Sequence, residues 1–178
     1  MPEIHTVRSI QIALAEGGSV SELFWDHPLL LMLPVVAGRG PQVSADSDTM
    51  RGMDTPSRGP SGAFALLCNP ETRAVPLAKS DHNPFGGLFT IGRDPTNDLV
   101  IDEGSVSRVH CFLSQTAEGW SVQDAGSVNG IVVNGRRLKD REQAPISPGE
   151  SIWIGHHELV FVDQTTLKAL LWMVAKQT

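Results

Sequence analysis

Short apolar runs separated by turn residues fill the chain from Ala63 onward, and this pattern limits the possible folds more than any other feature. Many of the runs alternate apolar and polar residues, as strands with one buried face do. Asn134-Gly135 lies between two runs and predicts a type I′ hairpin turn. Eleven candidate strands cover residues 63–68, 74–78, 87–91, 98–101, 109–115, 119–124, 131–133, 136–138, 144–146, 151–154 and 157–162. This number of short strands without intervening helices indicates an all-β fold, a β-sandwich of two antiparallel sheets.

The segment before these strands has a different composition. Residues 38–61 are rich in Gly, Pro and Ser and poor in large apolar side chains, which predicts a flexible linker. Residues 1–37 predict a short helical and extended cap on the main domain, which we place at residues 62–163. The apolar face of its first helix is Ile4, Val7, Ile10 and Leu14, although residues 10–14 also alternate as a strand would. Ser19 and Glu22 have capping-box spacing, and residues 29–36 predict a buried extended stretch.

The end of the chain returns to a helical period. Leu167, Leu170, Leu171 and Val174 follow the i, i+3, i+4, i+7 rule, so residues 164–178 predict an amphipathic helix that begins at Asp163 or Thr165. Trp172 and Met173 widen its apolar face. We expect that face to pack on the sandwich or the cap; a surface for a partner is the alternative.

Charge and hydropathy exclude several classes of function. The 14 Lys and Arg against 20 Asp and Glu give a net charge of −6, which disfavours a non-specific nucleic-acid binder. The longest apolar run, Leu29 to Leu33, is far shorter than the roughly 20 residues that cross a bilayer, and no secretory signal precedes it. Two cysteines, Cys68 and Cys111, make no disulfide framework. We therefore expect a cytoplasmic protein without a membrane partner.

Three loops carry the residues that suggest chemistry. They are residues 92–98, with Gly92, Arg93 and Asn97; residues 105–110, with Ser107, Arg108 and His110; and residues 124–130, with Ser127, Asn129 and Gly130. If these loops meet at one end of the sandwich, they bring together guanidinium, hydroxyl and amide donors. Such a set of donors can bind an anion without a metal.

The order and spacing of these elements resemble the forkhead-associated (FHA) domain. Gly92-Arg93, Ser107-Arg108-Val109-His110 and the stretch from Asp124 to Gly130 carry the resemblance, and Asn134-Gly135, Pro148-Gly149 and Ile154-Gly155 extend it. It covers about residues 62–163. The resemblance implies a sandwich of about eleven strands whose loops bind phosphothreonine peptides, and it implies no catalytic activity and no cofactor.

The resemblance also implies roles for single residues. Arg93 and Ser107 are similar to the phosphate ligands, Asn129 to the residue that bonds the peptide backbone, and Arg108 adds a second cation. Asn97 and Ser127 complete the predicted phosphopeptide-binding set. His110 is a structural residue in the family, and Gly92 and Gly130 permit backbone turns. Val128 stands where relatives carry a further hydroxyl, which removes one side-chain contact.

Each residue also has a simpler interpretation, and other chemistries were weighed. Taken alone, Arg93 pairs with a neighbouring Asp, and Ser107 and Asn129 are ordinary turn residues. Ser107, His110 and Asp124 are the residue types of a hydrolase triad, but Ser and His three residues apart on one loop give no independently oriented base. His156 and His157 are adjacent on a predicted strand and face opposite sides, which argues against a joint metal site.

Two functions are left for the chain as a whole. The leading one is a phosphothreonine-binding adaptor in signalling, linked to a Ser/Thr kinase, because phosphorylation adds a charge of about −1.5 to −2 that the site can detect. The alternative is a phosphate-independent assembly subunit in which the sandwich is a scaffold. The basic hairpin edge of Arg136, Arg137, Lys139 and Arg141 is expected to be a solvated edge that discourages edge pairing. The sequence does not specify the oligomeric state.

Overall fold

A computed structural model describes residues 4–19, 22–23, 27–35, 40 and 67–175. The predicted linker, apart from Gly40, lies outside these residues, as do residues 63–66 of the first predicted strand. Leu67 and Cys68, the last two residues of that predicted strand, are described, but neither is in a strand: Leu67 is helical and Cys68 lies in a turn. The elements are β1 His5–Thr6, α1 Val7–Ala15, β2 Leu29–Met32, β3 Arg73–Pro76, β4 Phe89–Gly92, β5 Leu99–Val100, β6 Cys111–Thr116, β7 Gly119–Asp124, β8 Ile131–Val133, β9 Arg136–Arg137, β10 Gln143–Ile146, β11 Ser151–Ile154, β12 His157–Val162 and α2 Gln164–Ala175.

The all-β sandwich is confirmed. A seven-stranded sheet has the order β1-β3-β2-β12-β11-β8-β9, and a five-stranded sheet has the order β10-β7-β6-β4-β5. The main core lies between the sheets and includes Ile91, Leu113, Ile152 and Phe161. The predicted hairpin at Asn134-Gly135 joins β8 to β9, and both of its residues have positive φ, 50° and 80°.

One pair of strands departs from the predicted antiparallel arrangement. β4 and β5 pair in parallel, with Ile91 opposite Leu99 and Gly92 opposite Val100. The Asp98 carboxylate accepts hydrogen bonds from the backbone N–H of Thr90 at 2.8 Å and from the Thr90 hydroxyl at 3.3 Å. These contacts hold the end of the β4–β5 loop beside the first half of β4, and β5 runs from there in the same direction as β4.

The N-terminal segment is built into the larger sheet more deeply than a cap lying on it would be. β2 pairs with both β3 and β12 and is buried on both faces. Leu30 and Met32 face the main core, whereas Leu29 and Leu31 face a second apolar cluster on the outer side. A strand buried on both sides shows a continuous apolar run rather than alternation, which explains this part of the sequence.

The second cluster is covered by the two helices. Val7 and Ile10 of α1 and Leu167, Leu170 and Leu171 of α2 are buried in it. Thr6 begins α1 by accepting a hydrogen bond from the backbone of Ser9, and Asp163 begins α2 by accepting one from the backbone of Thr166 at 2.7 Å. The predicted capping box between Ser19 and Glu22 is also present.

Not every apolar residue near the helices joins this cluster. Ile4, Trp172 and Met173 are 49%, 60% and 37% exposed, so they lie outside the buried face. Neither helix in the described ranges has the length and hydropathy that crossing a membrane requires.

Candidate functional site

The three predicted loops meet at one end of the sandwich, around a cleft of about 680 Å³. A fourth loop, between β3 and β4, forms another wall with Pro84 and Phe85. The remaining walls come from residues 93, 94 and 96 of the β4–β5 loop, residues 104–109 of the β5–β6 loop and residues 126, 128 and 129 of the β7–β8 loop. Four of the six predicted ligands line this cleft: Arg93, Ser107, Arg108 and Asn129.

Arg93 is placed by the close approach of two loops. Its backbone N–H donates to the carbonyl of Ser107 at 2.9 Å, and its Nε donates to the carbonyl of Val106 at 3.3 Å. The side chain is exposed in the cleft. The fork of Nη groups, which makes no protein hydrogen bond among the described residues, is therefore available to an anion.

Gly92 is required because the β5–β6 loop approaches its backbone closely, and not because the backbone turns there. A Cβ at this position would collide with the carbonyl oxygen of Arg108 and approach Asn97 Nδ2 to 2.9 Å. The sequence predicts that Gly92 permits a backbone turn, whereas in the structure a side chain at this position would clash. Gly130 does have positive φ, 66°.

Ser107 connects the second and third loops. Its hydroxyl oxygen accepts a hydrogen bond from the backbone N–H of Val128 at 3.0 Å. A hydroxyl that accepts one bond still has its own proton to donate, so Ser107 can serve a phosphate oxygen as well. The side chain of Val128 is 90% exposed, and this residue contributes to the loop contact through its backbone.

Asn129 is fixed at two atoms. Its Nδ2 donates to the carbonyl of Ser105 at 2.8 Å, across to the neighbouring loop, and its own carbonyl accepts a hydrogen bond from Arg137 Nη1 at 2.5 Å. The residue is exposed beside the cleft. Its side-chain oxygen and second amide proton are the groups that can meet a peptide backbone.

His110 holds the loops together from below. It is fully buried, and its Nδ1 accepts a hydrogen bond from the backbone N–H of Ser107 at 3.0 Å. Nε2 therefore carries the proton and donates to the carbonyl of Gly130 at 3.2 Å. Burial lowers the pKa of His110, against the opposing effects of the Gly130 carbonyl and the Asp124 carboxylate. Because both ring nitrogens bond backbone groups, the ring is not placed to deprotonate the Ser107 hydroxyl.

The structure differs from the prediction at Asn97 and Ser127. Asn97 is only 1% exposed, and its Nδ2 donates to the carbonyls of Asp94 and Arg108, both at 2.7 Å. Ser127 donates its hydroxyl to the buried carboxylate of Asp124 at 2.5 Å. These side chains satisfy groups inside the loops, so they support the walls of the cleft and do not line it.

Arg108 is the second exposed cation of the cleft. Hydrogen bonds from the backbone and hydroxyl of Thr96 lower the pKa of Asp94, and the charge of Arg108 lowers it further. The nearby carboxylate of Asp94 is thus held by its own loop through Thr96, at 2.8 Å and 3.0 Å.

His156 and His157 do not face opposite sides as predicted. His156 lies in the turn after β11 rather than in a strand, and both rings approach Glu103 Oε2, at 3.6 Å and 3.8 Å. Across the described part of the chain, no group of three His, Cys, Asp or Glu side chains is arranged to hold a metal ion.

Sequence reasoning missed two contributors to the site. Phe85 forms a wall of the cleft from a loop that carries no motif, and Arg137 donates a hydrogen bond to Asn129 from the hairpin for which the sequence predicts only a solvated edge. The spacing between Asn129 and Arg137, across a predicted hairpin, was the only signal for the second contact. Phe85 had none, because its approach depends on the path of the whole β3–β4 loop.

Comparison with known proteins gives matches at three levels. A family model described as FHA domain matches residues 89–155. An oxoglutarate dehydrogenase inhibitor of Corynebacterium diphtheriae is 30% identical over 138 residues, which are 75% of this chain and 82% of that protein. An ABC transporter ATP-binding/permease protein of Mycobacterium tuberculosis is 40% identical over 79 residues, 44% of this chain but only 9% of the transporter.

Among solved structures, the FHA domain of a Chlamydia trachomatis protein aligns over 77% of this chain and 97% of that chain, with 22% identity and a TM-score of 0.48. The match to the FHA model covers all four cleft residues, and the match to the corynebacterial inhibitor covers more than four-fifths of that relative. The chain therefore belongs to the FHA domain family.

Proposed function

We propose that the chain is a non-catalytic adaptor that binds phosphothreonine peptides in kinase-linked signalling in the cytoplasm. The observation that carries the proposal is the convergence of Arg93, Ser107, Arg108 and Asn129 on one cleft. Two guanidinium groups and a hydroxyl proton offer charge-assisted and neutral hydrogen bonds to a phosphate dianion. An unmodified threonine offers these donors no charge, so phosphorylation by a kinase acts as the switch.

A titration with a phosphothreonine peptide and its unphosphorylated copy tests the proposal. We expect a dissociation constant near the micromolar range for the first peptide only. Arg93→Ala should weaken binding by about a hundredfold, because a charge-assisted contact is worth about 2–3 kcal/mol. Arg73→Ala, at an exposed arginine on β3 outside the cleft, is the matched control and should leave the affinity unchanged.

Ser107→Ala should weaken binding by less, about three- to tenfold, since the lost donor is neutral. Equal affinity of wild type and Arg93→Ala would reject the assignment of the site. Equal affinity for phosphorylated and unphosphorylated ligands would instead favour the phosphate-independent assembly subunit.

A candidate partner comes from the most extensively matched relative reported above. Its name assigns it the inhibition of oxoglutarate dehydrogenase, and the similarity spans 82% of its length. We propose the same enzyme as a target of this chain. The test is to add the purified chain to the oxoglutarate dehydrogenase of the source organism and measure the turnover of the enzyme. Unchanged turnover at a saturating concentration of the chain would reject this target but would not affect the phosphopeptide proposal.

A further inference from the structure

Two Asn-Gly dipeptides of the chain have different surroundings in the fold. They are Asn129-Gly130, beside the cleft, and Asn134-Gly135, in the hairpin turn between β8 and β9. Asparagine before glycine is prone to deamidation, in which the backbone nitrogen of the glycine attacks the side-chain amide carbon, because glycine has no Cβ to obstruct the approach. Both dipeptides follow a valine, so their local sequences are closely matched and a difference in reactivity comes from the fold.

The other three asparagines of the chain do not offer this reaction. Asn69 and Asn83 precede prolines, whose backbone nitrogen carries no proton. Asn97 is buried with its amide bonded to two carbonyls, and the N–H of the following Asp98 donates to the hydroxyl of Thr90 at 3.1 Å. The reaction is therefore left to the two Asn-Gly dipeptides.

Asn134 is held in the sheet by hydrogen bonds. Its backbone N–H donates to the carbonyl of Ser151 at 3.0 Å, and its Oδ1 accepts a hydrogen bond from the backbone N–H of Ser151 at 3.1 Å. Ser151 is only 9% exposed. Rotation of the Asn134 amide toward Gly135 would leave a buried N–H without an acceptor, which costs more free energy than the loss of a solvated hydrogen bond.

The amide of Asn129 rotates at a lower cost in free energy. Its Nδ2 donates to the carbonyl of Ser105 at 2.8 Å, but this bond is exposed, so water replaces it when the side chain turns. The backbone nitrogen of Gly130, which is the attacking atom, makes no hydrogen bond with any residue that the structure describes. Arg137 Nη1 donates to the carbonyl of the same peptide group at 2.5 Å, and its positive charge stabilises the deprotonated nitrogen.

We propose that Asn129 is a site of spontaneous deamidation in the folded protein, and that the product no longer holds a phosphopeptide. The Gly130 nitrogen loses its proton to solvent and bonds to Cγ of Asn129, and the Cγ–Nδ2 bond breaks as Nδ2 takes up a proton and leaves as ammonia. Water then opens the succinimide ring at either carbonyl, which gives an isoaspartyl or an aspartyl residue. The overall reaction consumes one water, releases one ammonia and needs no oxidant.

The product changes the site in two ways. Its carboxylate has no proton to donate to the carbonyl of Ser105, so the contact between the two loops is lost. It also adds a negative charge beside Arg93 and Arg108, where it repels a phosphate dianion. The modification of Asn129 is independent of the proposed function, whereas its effect on binding rests on that function.

The experiment follows both Asn-Gly dipeptides in one incubation. The full chain is kept at neutral pH, either folded or unfolded in urea, and is then digested with trypsin, which releases both asparagines on the single peptide of residues 109–136. Mass spectrometry of the fragment ions gives the conversion at each position. We expect Asn129 to convert about five- to tenfold faster than Asn134 in the folded chain, and the ratio of the two rates to fall to about one in urea.

A phosphopeptide titration tests the consequence for binding. Asn129→Asp reproduces the aspartyl product and should weaken the binding of a phosphothreonine peptide by about tenfold or more. Asn134→Asp is the matched control, because it adds the same charge and keeps the oxygen that accepts the hydrogen bond from Ser151. It should change the affinity by less than about twofold.

Equal rates at the two asparagines in the folded chain would overturn the inference. Faster conversion of Asn134 would overturn it as well, as would an intact Asn129 after the time in which the unfolded chain is fully converted. Unchanged phosphopeptide affinity of Asn129→Asp would overturn the effect on binding. Failure of the fresh chain to bind any phosphopeptide would reject the proposed function, whereas the conversion of Asn129 is measured without a peptide and is decided separately.

Discussion

At the scale of single residues, Arg137 tests how the site is held in shape. It contacts the site through its Nη1, which donates to the carbonyl of Asn129, and it packs against Gly130. Arg137→Ala should therefore loosen Asn129 and weaken phosphopeptide affinity about three- to tenfold, while binding stays dependent on phosphorylation. The measurement is a peptide titration by calorimetry.

Arg136→Ala is a close control for this variant. Arg136 lies on the same hairpin and carries the same charge, but it pairs with Glu142 at 2.7 Å instead of with the site. Its removal should change the affinity by less than about twofold, because exposed ion pairs contribute little. An equal loss in both variants would mean that the hairpin acts through its charge, and the positioning role of Arg137 would be wrong.

His110 provides a prediction about pH. Because burial lowers its pKa in the folded protein, the unfolded chain binds more protons between that lowered value and the ordinary value near 6.5. The contribution of His110 to stability is therefore complete above about pH 6.5 and falls as the pH drops toward the folded-state pKa. Burial lowers the pKa of His157 as well, which adds a loss in the same direction.

Urea denaturation at several pH values measures this effect. His110→Gln should be less stable than wild type at pH 7.5 by about 1 kcal/mol or more, because it loses hydrogen bonds to buried backbone groups, and its stability should fall less steeply toward acid. His82→Gln, at an exposed histidine in the β3–β4 loop, should keep the wild-type slope. If His110→Gln also kept the full slope, the acid sensitivity would have to arise elsewhere.

The residues also show how far the sequence could predict the site. Residue types and spacing indicated which loops would converge, and Arg93, Ser107, Arg108 and Asn129 do line one cleft. Asn97 and Ser127 are loop residues of the same types as Asn129 and Ser107, but they differ from them in the acceptors to which they donate. Those acceptors, the carbonyl of Arg108 and the carboxylate of Asp124, take their places only when the whole loop is folded.

At the scale of elements, the alternation of apolar and polar residues predicted most strands of the sandwich. It did not predict how the N-terminal segment joins the sheet. Ten of the predicted strands correspond to β3 through β12, because alternation with turn residues is a local property. The sequence predicts a buried extended stretch at residues 29–36, but no local feature distinguishes a stretch that covers a sheet from a strand that belongs to it. Pairing of β2 with β3 and β12 is a contact between distant segments.

The integration of β2 leads to a stability prediction. Leu30 and Leu31 are both fully buried, one in the main core and one in the outer cluster under the helices. Leu30→Ala and Leu31→Ala should each cost about 2–5 kcal/mol of unfolding free energy, measured by chemical denaturation. A strand that only covered the sandwich from outside would show the large loss at one of these positions and a small change at the other.

At the scale of the whole molecule, net charge and local charge have opposite signs. Residues 62–163 contain eight Lys and Arg against thirteen Asp and Glu, so the domain as a whole repels an anionic peptide. Arg93 and Arg108 counter this inside the cleft. On the hairpin edge, Arg136 pairs with Glu142, and Arg137 is held by a hydrogen bond to the carbonyl of Asn129.

The balance of charge predicts a shallow dependence of phosphopeptide affinity on salt. Contacts made within a few ångströms in the cleft are screened much less than attraction beyond the Debye length of about 10 Å at 0.1 M salt. Raising NaCl from about 0.05 M to about 0.3 M should therefore weaken binding by less than about fivefold. A loss of affinity well above tenfold would contradict this prediction. If Lys139→Ala or Arg141→Ala reduced that loss, the docking surface would lie on the hairpin edge instead of in the cleft, because only a ligand held by those exposed cations would lose that much affinity to screening.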